Sequence, residues 1–215
     1  MIDRRIYLEH YWNPYMLSER EFLEVTDYVA LRKSNYQTCS EKLVRSLLTT
    51  CELFESAMKA MYDFASKRPS FPDYVEKLDG DTLFDRSCRI TVERGHEPIE
   101  LAPFAEMTKE KAPEWWSAHN KVKHDRMQEF PQGNLENALN ALAALYYVNL
   151  ILAKHVGDYW HERLPHKDEN TRDVPNDLSR PFSADGFETR HHVAGYDAYL
   201  MTKEEEDDLF EKLSI

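Results

Sequence analysis

The residues best suited to chemistry lie in one short stretch, His119-Asn120-Lys121-Val122-Lys123-His124, followed directly by Asp125 and Arg126. Histidine is the side chain best matched to proton transfer near neutral pH, as general base or general acid. Asn120 and His124 are spaced i and i+4, so on a helix both can point at a common partner. Lys121, Lys123 and Arg126 add positive charge within the same stretch, offset only by Asp125. Proton transfer beside a phosphate is the chemistry such a set would serve. The competing structural reading is a hydrogen-bonded core Asn and His with a solvated basic edge. Projected at about 100° per residue, Trp116, Asn120, Lys123, Met127 and Phe130 share one broad face, and His119 and His124 flank it. Trp115 and Trp116, one turn earlier, border this polar cluster with bulky apolar surface.

Other chemistries find little support. His155, His161 and His166 lack the i, i+4 spacing of a helical metal site, and His191-His192 lies in a segment without clear period. No matching carboxylate or cysteine pattern accompanies them, so neither metal nor cofactor is expected. Gly-rich phosphate loops and the Gly-x-Ser-x-Gly elbow are absent from the sequence, which argues against mononucleotide motors and α/β hydrolases. Cys39, Cys51 and Cys88 show no CxxC spacing, which argues against a disulfide framework and for a reducing cytosol.

The formal net charge is −12, so nucleic acid is repelled by the chain as a whole and any RNA contact must use a local basic patch. Hydrophobic residues at 42% and charged residues at 31% give an ordinary globular balance, enough for a sizeable core in 215 residues. The N-terminus has no apolar signal core. The longest apolar run, Ala141 to Ala153, is broken by Asn149 and falls short of the ~20 residues that span a bilayer. It predicts a buried helix, with no membrane role.

Which elements must hold the stretch in place? Ser18-Glu19-Arg20-Glu21 has capping-box spacing and predicts a first helix to about Leu31. A second helix is expected from Ser40, with Val44, Leu47, Leu48, Cys51, Phe54, Met58 and Tyr62 on one face until Pro69 and Pro72. Glu55 interrupts that face. Buried carboxylates are costly unless paired, so it either bonds Lys59 one turn on or faces a polar pocket. Residues 66–112 look like a linker with a short helical piece near Asp73–Leu78, then an insertion in which Ile90 and Val92, Ile99 and Leu101 predict a β-hairpin. Pro113 opens a third helix, expected to run to about Glu129 and to carry the cluster. Asn134 caps a fourth and longest helix, expected to reach roughly His161. The fold class is therefore all-α: an up-and-down bundle of about four main helices over 1–163, with the hairpin inserted. Residues 164–215 are expected to form an irregular arm with a short acidic helix at Lys203–Leu213.

Trp115-Trp116, the run from His119 to Arg126, Phe130 and Asn134 to Leu145 resemble a group of uncharacterised bacterial HEPN-like proteins. Tyr28-Val29, Asn35, Ser40-Glu41 and the helix through Glu55 and Lys59 resemble that group's opening helices, so the likeness spans roughly Met16 to Ala153. The resemblance implies a helical bundle that commonly dimerises. It also implies a metal-independent ribonuclease of toxin–antitoxin, phage-defence or RNA-processing systems, or an inactive binding relative. The family's motif is an Arg, then a polar residue, then a His. Asn120 matches the polar position and His124 the His, while His119 stands where Arg is expected. By that likeness His124 would transfer protons, Asn120 would orient, and His119, Lys123 or Arg126 would stabilise phosphoryl charge. Lys121, Lys123 and Arg126 would bind RNA, with Glu55, Lys59, Trp115 and Trp116 in support.

Three functions compete. The first is a homodimer that binds or cleaves RNA, and it requires an accessible His124. The second is a non-catalytic dimerisation or interaction module, with Asn120, His124 and Glu55 in an internal polar network. The third is a small-ligand pocket closed by Trp115 and Trp116. The C-terminal arm offers a surface for a protein partner, and the acidic run Glu204–Asp208 reads as a solvated surface.

Overall fold

Two capping side chains fix the central helices. The Ser40 hydroxyl accepts from the Leu43 amide at 3.2 Å and starts α3, Glu41–Met61. The Asn134 side-chain oxygen accepts from the Asn137 amide at 3.0 Å and starts α7, Leu135–Arg163. Further α7 donors are met by the loop before α3: Leu135 N–H bonds Thr38 O at 2.9 Å, and Glu136 N–H bonds Tyr36 O at 3.1 Å. The backbone groups that a helix start leaves unpaired are thus satisfied by its partner's approach. Immediately before α7, Gly133 passes so close to α3 that an added Cβ would lie 2.2 Å from Val44 Cγ2. In this computed structural model, residues 2–94, 97–163, 173–174, 179, 181–191 and 198–202 are described.

α3 and α7 pack along their apolar faces. Leu43, Leu47, Phe54 and Met58 of α3 and Leu139, Leu142, Val148 and Leu152 of α7 are all buried in the core between the packed elements. Leu135–Gly157 is long and apolar enough to cross a membrane, but 83% of its most apolar window is buried within the protein, as in a core helix. Two other helices pack on this pair, α2 (Asn13–Thr26) and α5 (Glu114–His124). The fold is predominantly helical.

The first helix departs from expectation. Ser18 and Glu19 are buried inside α2, and Glu19 accepts from Tyr15 Oη at 2.5 Å, so Ser18 caps nothing. Helical structure begins at α1, Arg4–Tyr7, with Asp3 Oδ1 accepting from the Ile6 amide at 2.8 Å. A π-helical turn, Leu8–Trp12, joins α1 to α2, whose second residue is Pro14. Proline lacks the N–H of a regular turn and crowds the carbonyl before it, and a widened turn relieves both. α2 ends at Thr26, short of Leu31.

Between α3 and α5, the short helical piece is α4, Phe71–Asp79, whose start is held by the Ser70 amide donating to Asp73 Oδ2 at 2.6 Å. The hairpin forms as expected from β1 (Ile90–Val92) and β2 (Ile99–Leu101), with Ile90 opposite Leu101. The arm is not irregular throughout. It contains β3 (Asp173–Val174), β4 (Phe182–Ala184), β5 (Phe187–His191) and β6 (Ala198–Thr202). β4 pairs antiparallel with β1, giving the order β2-β1-β4, while β6 lies between β3 and β5 in a second sheet. Phe182 stacks on Tyr146 of α7 at 5.7 Å, so apolar packing anchors β4 to the helices. The acidic helix expected at Lys203–Leu213 lies outside the described residues.

Candidate functional site

α5 carries the cluster, and two tryptophans seat it. The Trp115 indole N–H donates to Pro103 O at 2.9 Å, and Phe54 of α3 meets Trp115 and Trp116 edge-on at 5.4 and 5.8 Å. Both indoles are core, packed on neighbouring aromatic rings. Burying rings of this size fixes the rotation of α5, and that decides which way each polar residue faces.

α5 stops at His124 instead of continuing to Glu129. Asp125 adopts φ −142°, ψ 76°, and its carboxylate accepts from the Gln128 amide at 3.2 Å, capping a separate turn, α6 (Arg126–Glu129). A short polar side chain that bonds a nearby amide competes with helical continuation. His124 therefore sits at the end of a helix.

The two histidines occupy opposite environments. His119 is buried, 1% exposed, with its ring 5.3 Å from Trp116 and neither ring nitrogen hydrogen-bonded. Burial pushes its pKa down to about 4, and the nearby charges of Lys123 and His124 push the same way against Glu55. At neutral pH it is uncharged, so the charge-stabilising role expected of His119 does not fit its placement. His124 is exposed, as is Lys123, and Asn120 is half-buried one turn before His124.

The other cations divide. Lys121 lies 3.7 Å from Glu114, and Arg126 pairs with Glu41 at the start of α3. Lys123 has no ion partner among the described residues. Glu55, half-buried, bonds Lys59 at 3.2 Å, so the local ion pair is found in place of an inward-facing carboxylate. Cys51, under Glu55 and Lys123, is buried, and burial pushes its thiol well up. The structure thus brings Lys123, His119, Cys51 and Glu55 together across the α3–α5 contact, and turns His124 outward. No group of three or more His, Cys, Asp or Glu among the described residues could hold a metal ion.

A second polar cluster escaped sequence reasoning. Asp81, its side chain 4% exposed, accepts from Tyr62 Oη at 2.5 Å and from the Leu83 amide at 2.9 Å, and meets His155 Nε2 at 2.6 Å. It lines an open cleft with Lys77 and Thr82. Tyr62 ends α3, Asp81 follows α4 and His155 lies on α7, so no local spacing announces the trio. Compared with known proteins, the chain matches no family model, no curated protein and no solved structure.

Proposed function

We propose that the chain is a HEPN-like, metal-independent endoribonuclease of the cytoplasm, acting as a homodimer of up-and-down helical bundles in a bacterial defence or toxin–antitoxin setting. One observation carries this reading: His124 is exposed at the end of α5 beside Lys123, a cation without an ion partner among the described residues. An internal polar network would instead have buried His124.

In the reaction, His124 takes the proton from an RNA 2′-OH as that oxygen attacks the adjacent phosphorus. The bond from phosphorus to the 5′-oxygen breaks, the departing oxygen is protonated, and a 2′,3′-cyclic phosphate remains. Asn120 orients the phosphate or the imidazole. Lys123 supplies the positive charge that the family motif assigns to Arg, because His119 is held neutral. Arg126 and Lys121 guide the strand electrostatically.

The test is RNA cleavage by purified protein in EDTA, wild type beside His124→Ala, with cyclic phosphate ends assayed. Cleavage by wild type and its loss in the variant are expected. An inert, well-folded dimer would sink the nuclease and leave a non-catalytic interaction module.

A further inference from the structure

The cleft beside Asp81 is open to solvent and has a volume of about 450 Å³, room for a small molecule. Three helices contribute to it: Tyr62 follows α3, Lys77 lies in the last turn of α4, and His155 projects from α7. Most of its charges are already matched. Glu76 bonds Lys109 at 3.1 Å, and Asp81 is engaged by His155 and Tyr62. Lys77, its ammonium 5.9 Å from the centre of the Phe64 ring, has no ion partner among the described residues. Thr82, which also lines the cleft, is exposed, and its hydroxyl bonds none of the described residues.

The hydrogen bonds around Asp81 fix which nitrogen of His155 carries a proton. The carboxylate accepts from Tyr62 Oη and from the Leu83 amide, so it is ionised and can only accept from His155 Nε2 as well. With the proton on Nε2, the neutral ring presents Nδ1 as an acceptor. Nδ1 has no hydrogen-bond partner among the described residues, and the side chain is 30% exposed.

An ammonium and a hydroxyl beside an acceptor nitrogen make a particular demand. The ligand must carry negative charge and still supply a proton. A phosphate monoester does both, because its second ionisation falls at about pH 6, close to the ordinary imidazole value of about 6.5. One proton can then lie between a phosphate oxygen and Nδ1, whichever of them holds it. Sulfate stays fully ionised at neutral pH and brings no such proton. We propose that this cleft binds the phosphate group of a small phosphate monoester, with Lys77 and Thr82 donating to two of its oxygens and His155 Nδ1 sharing a proton with the third. The site takes no lining residue from α5, and the inference does not depend on ribonuclease activity.

The test titrates the full chain at pH 7.5 with methyl phosphate, inorganic phosphate and sulfate. The readout is the ¹⁵N shift of the His155 imidazole, assigned by its loss in His155→Gln. Both phosphates are expected to shift His155 Nδ1 and to bind at least tenfold more tightly than sulfate. Lys77→Ala, at a partly exposed position, is expected to weaken phosphate binding about tenfold. His155→Gln keeps a donor for Asp81 but removes the imidazole, and it should abolish the preference for phosphate over sulfate. A His155 signal that phosphate leaves in place, equal binding of sulfate, or affinity unchanged in Lys77→Ala would each overturn the assignment. Binding of inorganic phosphate without methyl phosphate would overturn the choice of a monoester. The wild-type titration and Lys77→Ala decide the matter even if His155→Gln fails to fold.

Discussion

His155 Nε2 lies 2.6 Å from Asp81 Oδ2, an oxygen that also accepts from Tyr62 Oη at 2.5 Å. Through that one carboxylate, α7 is tied to the end of α3 and to the chain leaving α4. Burial alone would push the Asp81 carboxyl up. The bonds from His155, Tyr62 and the Leu83 amide outweigh it and hold the carboxyl below its ordinary range.

Asp81→Asn is therefore expected to cost about 1–3 kcal/mol at pH 7, the range for a buried acceptor in a charge-assisted network. The folded carboxyl titrates below its unfolded value of about 4, so its stabilisation is present above that pH and fades as pH falls through the folded value. Urea unfolding at pH 7 and pH 3 checks this: the gap between wild type and variant should narrow in acid. A gap of equal size at both would show that the charge is not what matters.

His119 should make the protein acid-sensitive in a different window. Its folded pKa of about 4 lies below the unfolded value, which is about 6.5. The unfolded chain takes the proton first, so stability is full above about pH 6.5 and declines towards pH 4, by up to about 3 kcal/mol. His119→Leu removes a buried ring with two unsatisfied nitrogens. It should flatten the stability profile between those values, leave neutral-pH stability at least at the wild-type level, and leave RNA cleavage intact. An unchanged slope in the variant would refute the assignment.

Lys123→Ala should lower RNA cleavage by about 10²–10³-fold, the usual cost of one transition-state charge stabiliser. Because the side chain is exposed, stability should move by no more than about 0.5 kcal/mol. Lys123→Arg should recover most of the rate. Equal cleavage by wild type and Lys123→Ala would transfer the role to another cation.

Gly133→Ala should destabilise by about 1–3 kcal/mol, since its methyl would collide with Val44. Introduced into a Val44→Ala background, the same change should cost less, because the atom it meets at 2.2 Å is gone. Thermal unfolding of the four proteins in the cycle measures that coupling. Additive effects would place the strain elsewhere.

Local signals in the sequence were read where local chemistry governs. Ser40 and Asn134 cap because their oxygens meet amides a few residues on, and Ile90, Val92, Ile99 and Leu101 alternate because one face is buried. The entry to α2 was missed because a π-helical turn shifts the phase between Tyr7, Trp12 and Tyr15, blurring any regular period. The stop at Asp125 was missed because one carboxylate chooses between continuing a helix and capping the next turn. β4 owes its existence to pairing with β1, far back in the chain, which no short window contains. At the site, the stretch from His119 to His124 was found by residue type, but the opposite fates of its two histidines follow from how Trp115 and Trp116 rotate the helix.

The central place of β1 bears on the order in which the chain is made. As synthesis proceeds, β1, β2 and all of α7 emerge before Phe182. Until β4 arrives, one side of β1 shows unpaired donors and acceptors to any strand nearby, including the same strand of a neighbouring nascent molecule. An exchange of β4 between two copies would reproduce every contact of the native sheet, and so would carry little thermodynamic penalty. In the folded chain that side of β1 is closed by β4, with Phe182 opposite Val92.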